Sequence, residues 1–245
     1  NFFELGGNSL SAITVCNIIL IKMKTKVLLK DFFNMPYIRS IAEIITTSGL
    51  NEYNLIKSLE KKEYYRASPA QERMFVTQKI QGAITNYNDI QTFELYGSFD
   101  KVRFEKAVMG VFERDESLRT SFQLLNGKTI QIVNSEIKVD IEYYKVENSN
   151  FEEILNNLGR EFDLSIPPLL RLGVVQVNEK RNIVIYECHH IIFDGISHEI
   201  FKKEIEQLYL GKNLERKRIQ YKDYSDWQLS MNEKGEFSNQ ENYWV

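Results

Sequence analysis

Between positions 9 and 23, apolar side chains recur at Leu10, Ile13, Cys16, Leu20 and Met23, steps of three and four that predict a helix. Gly6 and Gly7 interrupt the chain just before it, and Asn8 or Ser9 stands where an N-cap belongs. A second amphipathic run, Ile38, Ile41, Ala42 and Ile45, closes this first segment. Residues 48–54 are rich in turn formers and residues 57–63 are mostly charged, so the pattern divides the chain into a small helical unit at 1–49, a linker at 50–63 and a larger domain at 64–245. In the larger domain Ser68 and Gln71 form a capping box with Pro69 at the first helical position. Residues 91–96 alternate as a strand. Asp100 caps a helix with Phe104, Val108, Val111 and Phe112 on one face. Residues 119–124 and 128–133 flank Asn126-Gly127, a strong hairpin signal. Residues 151–162 read as helical, and 170–177 with 182–186 as a second hairpin turning at 179–181. Ile200, Phe201, Ile205 and Leu208 mark a further helix, and residues 221–228 an amphipathic helix with aromatic packing. Strands interleaved with helices and hairpins predict an α+β layer on one open sheet.

Composition narrows the class without changing that outline. The 245 residues are 43% hydrophobic and 27% charged, values of a globular protein. A net charge of -3 with no basic, aromatic-laced stripe argues against nucleic acid as a partner. The two cysteines, Cys16 and Cys188, are far apart and imply no disulfide framework, which fits a cytoplasmic location. No apolar run reaches the ~18 residues that a membrane span needs, and no signal peptide is evident. The chain opens at Asn1 rather than Met, so it is read as a piece of something longer.

Candidate chemistry concentrates in two places. Two of the three histidines are adjacent, His189 and His190, at the end of a β-rich run, followed by Asp194 and Gly195. Imidazole titrates near neutrality and can accept or hold a proton. Neighbouring side chains on a strand point to opposite faces, so the two histidines have different roles, one toward a cleft and one toward packing. The alternative is a structural pair held by hydrogen bonds. A metal site is not expected, because adjacent strand histidines diverge and no Cys/His cluster completes a ligand set. Gly195 is expected to allow the sharp turn that leaves the strand. The third histidine, His198, is expected to be an ordinary helix-face residue. The second place is Ser9, a hydroxyl at a helix N-terminus beside two glycines, where free N–H groups favour a phosphate; the alternative is that it only caps the helix.

HHIIFDG at 189–195 resembles HHxxxDG, the signature of nonribosomal peptide synthetase condensation domains. Three further stretches resemble that family's motifs in the right order: SPAQERMF at 68–75, RDESLRTSF at 114–122, with Asp115 where the family has a non-catalytic histidine, and YKDYSDWQ at 221–228. Upstream, NFFELGGNSL at 1–10 and KDFFNMPYI at 30–38 resemble peptidyl carrier domains. The resemblance implies a partial, all-α, acyl-carrier-like helical bundle at 1–49. After it comes an α+β chloramphenicol-acetyltransferase-like half-domain with a mixed open sheet, the N-terminal lobe of a condensation domain whose other lobe is missing, so that the isolated chain is expected to be inactive.

It further implies that Ser9 carries 4′-phosphopantetheine, installed from coenzyme A by a phosphopantetheinyl transferase. His190 stands at the centre of amide formation between aminoacyl or peptidyl thioesters, as general base or by positioning the amine, with no metal. His189 and Gly195 shape the turn, and Asp194 holds the loop through an ion pair with an Arg of the absent lobe. Adjacent adenylation and carrier domains are the implied partners, in a multidomain enzyme of antibiotic or other secondary-metabolite biosynthesis, with a lean toward elongation on an L-configured donor. Three alternatives remain: an epimerisation domain, which shares HHxxxDG and also follows a carrier; an inactive docking module; and a standalone coenzyme A-dependent acyltransferase.

Overall fold

The computed structural model describes residues 1–47, 56–82, 85–145, 154 and 158–244. They form two compact units, Asn1–Leu55 and Ile56–Val245.

The first unit holds three helices, α1 (Ser9–Met23), α2 (Leu29–Asn34) and α3 (Ile38–Thr47). Its core is Ala12, Val27, Phe32 and Ile41, with Phe2, Phe3, Val15, Cys16, Ile19, Leu29, Ile44 and Ile45 packed around it. The stripe of α1 that spacing singles out packs only in part: Cys16 meets the core, but Leu10, Ile13 and Met23 are exposed, while Ala12 is fully buried. The inward face is Ala12, Val15, Cys16 and Ile19, and the loop before the helix folds back onto the same core, with Phe2 meeting Phe32 edge-on at 5.0 Å and Phe3 stacking on Phe33. That return explains Gly7. A Cβ there would lie 2.3 Å from the Phe2 ring, so only glycine fits.

The second unit contains two sheets where the sequence predicts one. A four-stranded mixed sheet runs β2-β7-β6-β5, formed by β2 (Asn88–Tyr96), β5 (Ile141–Lys145), β6 (Leu170–Asn178) and β7 (Arg181–His189). Its pairs are antiparallel except for β5 with β6, which is parallel. A separate antiparallel sheet runs β1-β4-β3, from β1 (Tyr65–Arg66), β3 (Thr120–Leu125) and β4 (Lys128–Val133). The β3–β4 hairpin does not join the larger sheet; β1 pairs with β4 instead, just before the next helix. Its turn is the expected one, with Asn126 at φ 51° and Gly127 at φ 77°, the left-handed pair of a tight hairpin.

The expected caps are present. Ser68 and Gln71 cap α4 (Pro69–Gln81) reciprocally, and the Asp100 side chain accepts from the Arg103 amide at the start of α5 (Lys101–Arg114). Two more helices follow β7, α6 (Gly195–Tyr209) and α7 (Tyr221–Glu233), and then α8 (Ser238–Trp244). Of the expected helix at 151–162, residues 151–153 and 155–157 lie outside the described residues, Ile154 and Leu158 are helical, and residues 159–162 are not, so the helix does not reach 162 as expected.

Strand alternation assigns the faces of the larger sheet. Leu170, Leu172 and Val174 of β6 and Val184, Tyr186 and Cys188 of β7 share a core with Phe104, Val108, Val111 and Phe112 of α5 and Phe201 and Ile205 of α6. On the alternate positions Val175 and Ile185 pack with Ile154 and Leu158. The helices and the far side of the sheet thereby clamp β7 from both faces, and β7 ends in the histidine pair. No helix among the described residues is long and apolar enough to cross a membrane.

Candidate functional site

β7 delivers His189 and His190 into a tight turn. The amide of His189 donates to the Leu169 carbonyl at 3.0 Å, and that of His190 to the Tyr87 carbonyl at 2.8 Å. Beyond them the Ile192 amide donates to the His189 carbonyl at 3.1 Å, so the chain reverses before Asp194. Gly195 does not make this turn, contrary to the expectation from sequence. It is the first residue of α6, its φ is not positive, and a Cβ added there would meet nothing within 4 Å. The backbone bonds across residues 189–193 make the reversal instead.

The two histidines divide as alternation predicts. His189 is fully buried. Its Nδ1 accepts from the Ile191 amide at 3.0 Å. Nε2 therefore carries the proton and donates to Gln78 Oε1 at 2.9 Å, while Gln78 Nε2 donates to the Phe162 carbonyl at 2.8 Å. This ring is locked neutral: burial, assisted by the neighbouring His190, lowers its pKa to about 4. A folded pKa below the unfolded value of about 6.5 means that the unfolded chain binds the extra proton first. The stability involved is complete above about pH 6.5 and is lost as pH falls toward 4, up to about 3 kcal/mol. Urea midpoints measured at about pH 7 and about pH 4.5 should fall more steeply with acid for the parent chain than for His189→Gln; equal slopes would reject the assignment.

His190 is only half buried. Its Nδ1 lies 3.2 Å from the Phe193 carbonyl, which can only accept, so Nδ1 carries the proton and Nε2 keeps a lone pair. A turn residue thus sets the tautomer of the half-buried histidine. Asp194 is the N-cap of α6, taking the Ser197 amide at 2.8 Å and the Ser197 hydroxyl at 2.6 Å. Burial would raise its pKa, but the bonds from Ser197 and the Ile196 amide outweigh that and hold the carboxyl below its usual range.

Two polar networks near the motif escaped sequence reasoning. His198 is not an ordinary helix-face residue. It is buried, with Nδ1 2.9 Å from the Tyr186 hydroxyl and Nε2 2.8 Å from Asp89 Oδ2. On the opposite face of β7, the Glu187 side chain is 1% exposed and meets Arg171 at 2.7 Å and Asn88 at 2.7 Å. Burial raises its pKa against the pull of Asn88 and Arg171. Arg171 also donates to the carbonyls of Leu158, Arg160 and Glu161 and lies over the Phe162 ring at 3.8 Å. The available signal was a charged residue in each of two apolar strands, Arg171 and Glu187, which prove to be paired in register.

The remaining motif residues are placed as follows. Asp115 ends α5, ion-paired to Lys217 and next to Glu204; burial raises its pKa to about 6, with Lys217 opposing. α7 buries polar rather than aromatic groups: Lys222 pairs with Glu116, and Asp223 accepts from the Gln220 and Leu59 amides. In the first unit Ser9 opens α1. The capping bonds there are made by Asn8 and Ser11, which leaves the exposed Ser9 outside the cap. Of the two thiols, Cys188 is fully buried and its pKa is pushed far up by burial, and the half-buried Cys16 is raised by the same cause.

The second unit is thus an α+β domain in which a helix-flanked mixed sheet ends in a half-buried imidazole beside a helix N-cap. The family model for the Condensation domain matches residues 61–245, and the chain belongs to this family. Bacitracin synthase 3 of Bacillus licheniformis is 38% identical over all 245 residues, and Gramicidin S synthase 2 of Aneurinibacillus migulanus 37%. The chain spans 4% and 6% of the lengths of these two relatives. The condensation domain from Monacolin K polyketide synthase matches in structure with a TM-score of 0.67 and 25% identity, over 77% of this chain and 43% of that one.

Proposed function

We propose that residues 64–245 are the N-terminal lobe of a condensation domain that forms amide bonds between carrier-bound substrates in a modular nonribosomal peptide synthetase, with His190 at its centre. The observation that carries this reading is the opposite treatment of two adjacent histidines. One is buried and held neutral, and the other has its proton pinned on Nδ1 and its Nε2 lone pair left available. The reaction needs little more from the protein. An amine attacks the carbonyl of a thioester, the C–N bond forms, the C–S bond breaks, and the amine's proton passes to the departing thiolate. A thioester is already activated, so the tasks left are orientation and custody of that proton. Nε2 of His190 can accept an N–H hydrogen bond from the amine, which both aims it and receives its proton. Asp194 fixes where α6 begins, and His189 anchors the turn from behind. Aminoacyl or peptidyl thioesters are the substrates, and adenylation and carrier domains the neighbours, of this reading.

A synthetase that contains this chain tests it when carriers loaded with a donor and an acceptor are mixed in deuterium oxide. A new dipeptidyl thioester supports condensation. Deuterium at the donor α-carbon without a new bond would assign epimerisation instead.

The helical unit fits a peptidyl carrier domain on this reading. Ser9 suits attachment of 4′-phosphopantetheine: its hydroxyl is exposed at the start of a 15-residue helix, and Asn8 and Ser11 do the capping in its place. The attached group supplies the thiol on which an acyl unit is carried. Incubated with coenzyme A, magnesium and a promiscuous phosphopantetheinyl transferase, the chain should gain the mass of one phosphopantetheine, and Ser9→Ala should gain none. A mass gain that survives Ser9→Ala would reject the assignment.

A further inference from the structure

The motif accounts for His189, His190, Asp194 and Gly195 but not for His198, and a buried histidine with a partner on each nitrogen is not idle packing. Three elements meet on it. Asp89 comes from β2, Tyr186 from β7 and His198 from α6. The Asp89 carboxylate can only accept, so Nε2 of His198 donates to it, and the Tyr186 hydroxyl is hydrogen-bonded to Nδ1. Asp89 is itself steadied by the Gln91 side-chain amide at 3.0 Å. The His198 ring then faces the Phe193 ring, with centroids 4.9 Å apart. Tyr186 and Phe201 close the same cage around Phe193, at 6.5 and 5.6 Å. Phe193 is the residue whose carbonyl takes the Nδ1 proton of His190.

We propose that His198 is a positioning residue for His190. Tied to Asp89 and Tyr186, it holds Phe193 in place, and the Phe193 carbonyl keeps the proton of His190 on Nδ1. The chain of influence runs from a carboxylate on the edge strand, through a buried imidazole and an aromatic cage, to the tautomer of the half-buried His190 imidazole. Without it the Phe193 carbonyl is free to swing away, and His190 relaxes toward the Nε2–H form that a free imidazole prefers. That form places a proton where the lone pair is needed. The consequence for catalysis rests on the functional reading above; the consequence for the tautomer does not.

Three histidines make the measurement clean. Two-bond proton–nitrogen correlation spectra of the chain labelled with 15N-histidine report each tautomer, and single substitutions assign the signals. The parent should show His189 and His198 as Nε2–H and His190 as Nδ1–H. In His198→Ala the Nδ1–H to Nε2–H ratio of His190 should fall ~5-fold or more, the change that one lost hydrogen bond carries. His189, held by Gln78 and Ile191, should keep its signature and so report an intact fold. Tyr186→Phe keeps the ring of the cage and removes one tie, and should shift His190 in the same direction by less. If His198→Ala disturbs His189 as well, Tyr186→Phe decides. A His190 that stays wholly Nδ1–H in the deciding variant, with His189 intact, would overturn the proposal.

Activity separates the two claims. If the tautomer shifts as expected but a synthetase bearing His190→Ala condenses at the parental rate, the coupling stands and the functional reading falls. If His190→Ala abolishes condensation while His198→Ala leaves the His190 tautomer unchanged, the reading stands and the coupling falls.

Discussion

Replacing His190 by Ala in a synthetase that contains this chain should slow amide formation by ~10²–10⁴-fold, the range a positioned proton-transfer group supplies. Single-turnover formation of dipeptidyl thioester from preloaded carriers is the measurement, because it excludes adenylation and loading. The expectation rests on geometry rather than on the presence of a histidine. Nδ1 is spent on the Phe193 carbonyl, so Nε2 is the ring atom available to an amine. Loss of the ring removes that acceptor and nothing from the core, since His190 is only half buried. Loading of the carriers and the thermal midpoint should therefore stay close to the parent values. A fall in rate of less than ~3-fold would sink the assignment of His190, because even modest general-base catalysis exceeds it.

The largest stability effect is expected on the other face of the same strand. Arg171→Met should destabilise the fold by ~3–5 kcal/mol, because it leaves the buried Glu187 carboxylate with its charge uncompensated. The loss is compounded by three carbonyls, of Leu158, Arg160 and Glu161, that give up their donor together. Pairing the change with Glu187→Met should recover a part of the loss and not all of it, since the buried charge is gone but those carbonyls remain unserved. Urea unfolding of the single and double variants closes the cycle. A loss below ~1 kcal/mol for Arg171→Met would mean that the pair behaves as an exposed one. The sign with pH is also fixed. The raised pKa of Glu187 means that the folded chain binds its proton more readily than the unfolded one, so in Arg171→Met the deficit should shrink as the solution is acidified.

These two residues also show what the sequence could and could not reveal. The different burial of His189 and His190 is legible because it is local: a β-rich run delivers both, and strand alternation separates the two imidazoles. The caps at Ser68 and Asp100 and the turn at Asn126-Gly127 were legible for the same reason, each resting on side chains within three residues. Gly195 was misread because glycine was assigned a turn that the 189–193 backbone already makes. The packed face of α1 is read only in part, because spacing marks every apolar position alike: Cys16 packs as expected, but Ala12, Val15 and Ile19 join it rather than Leu10, Ile13 and Met23. The two-residue β1 and the five-residue β5 carry too little pattern to stand out, and their pairing is settled by partners far along the chain. The Asp89–His198–Tyr186 group joins residues about 100 positions apart, so no spacing rule reaches it.

The placement of the two thiols has a consequence for acyl traffic. A thioester is attacked readily by thiolate, and a protein that holds one risks acylating itself by exchange. Both cysteines of this chain are raised toward the thiol form, Cys188 sealed in the core and Cys16 half covered on the same helix as Ser9. On the proposed reading, Cys188 is sealed from the cargo, and Cys16 is left a weaker competitor for it than a fully exposed thiol would be.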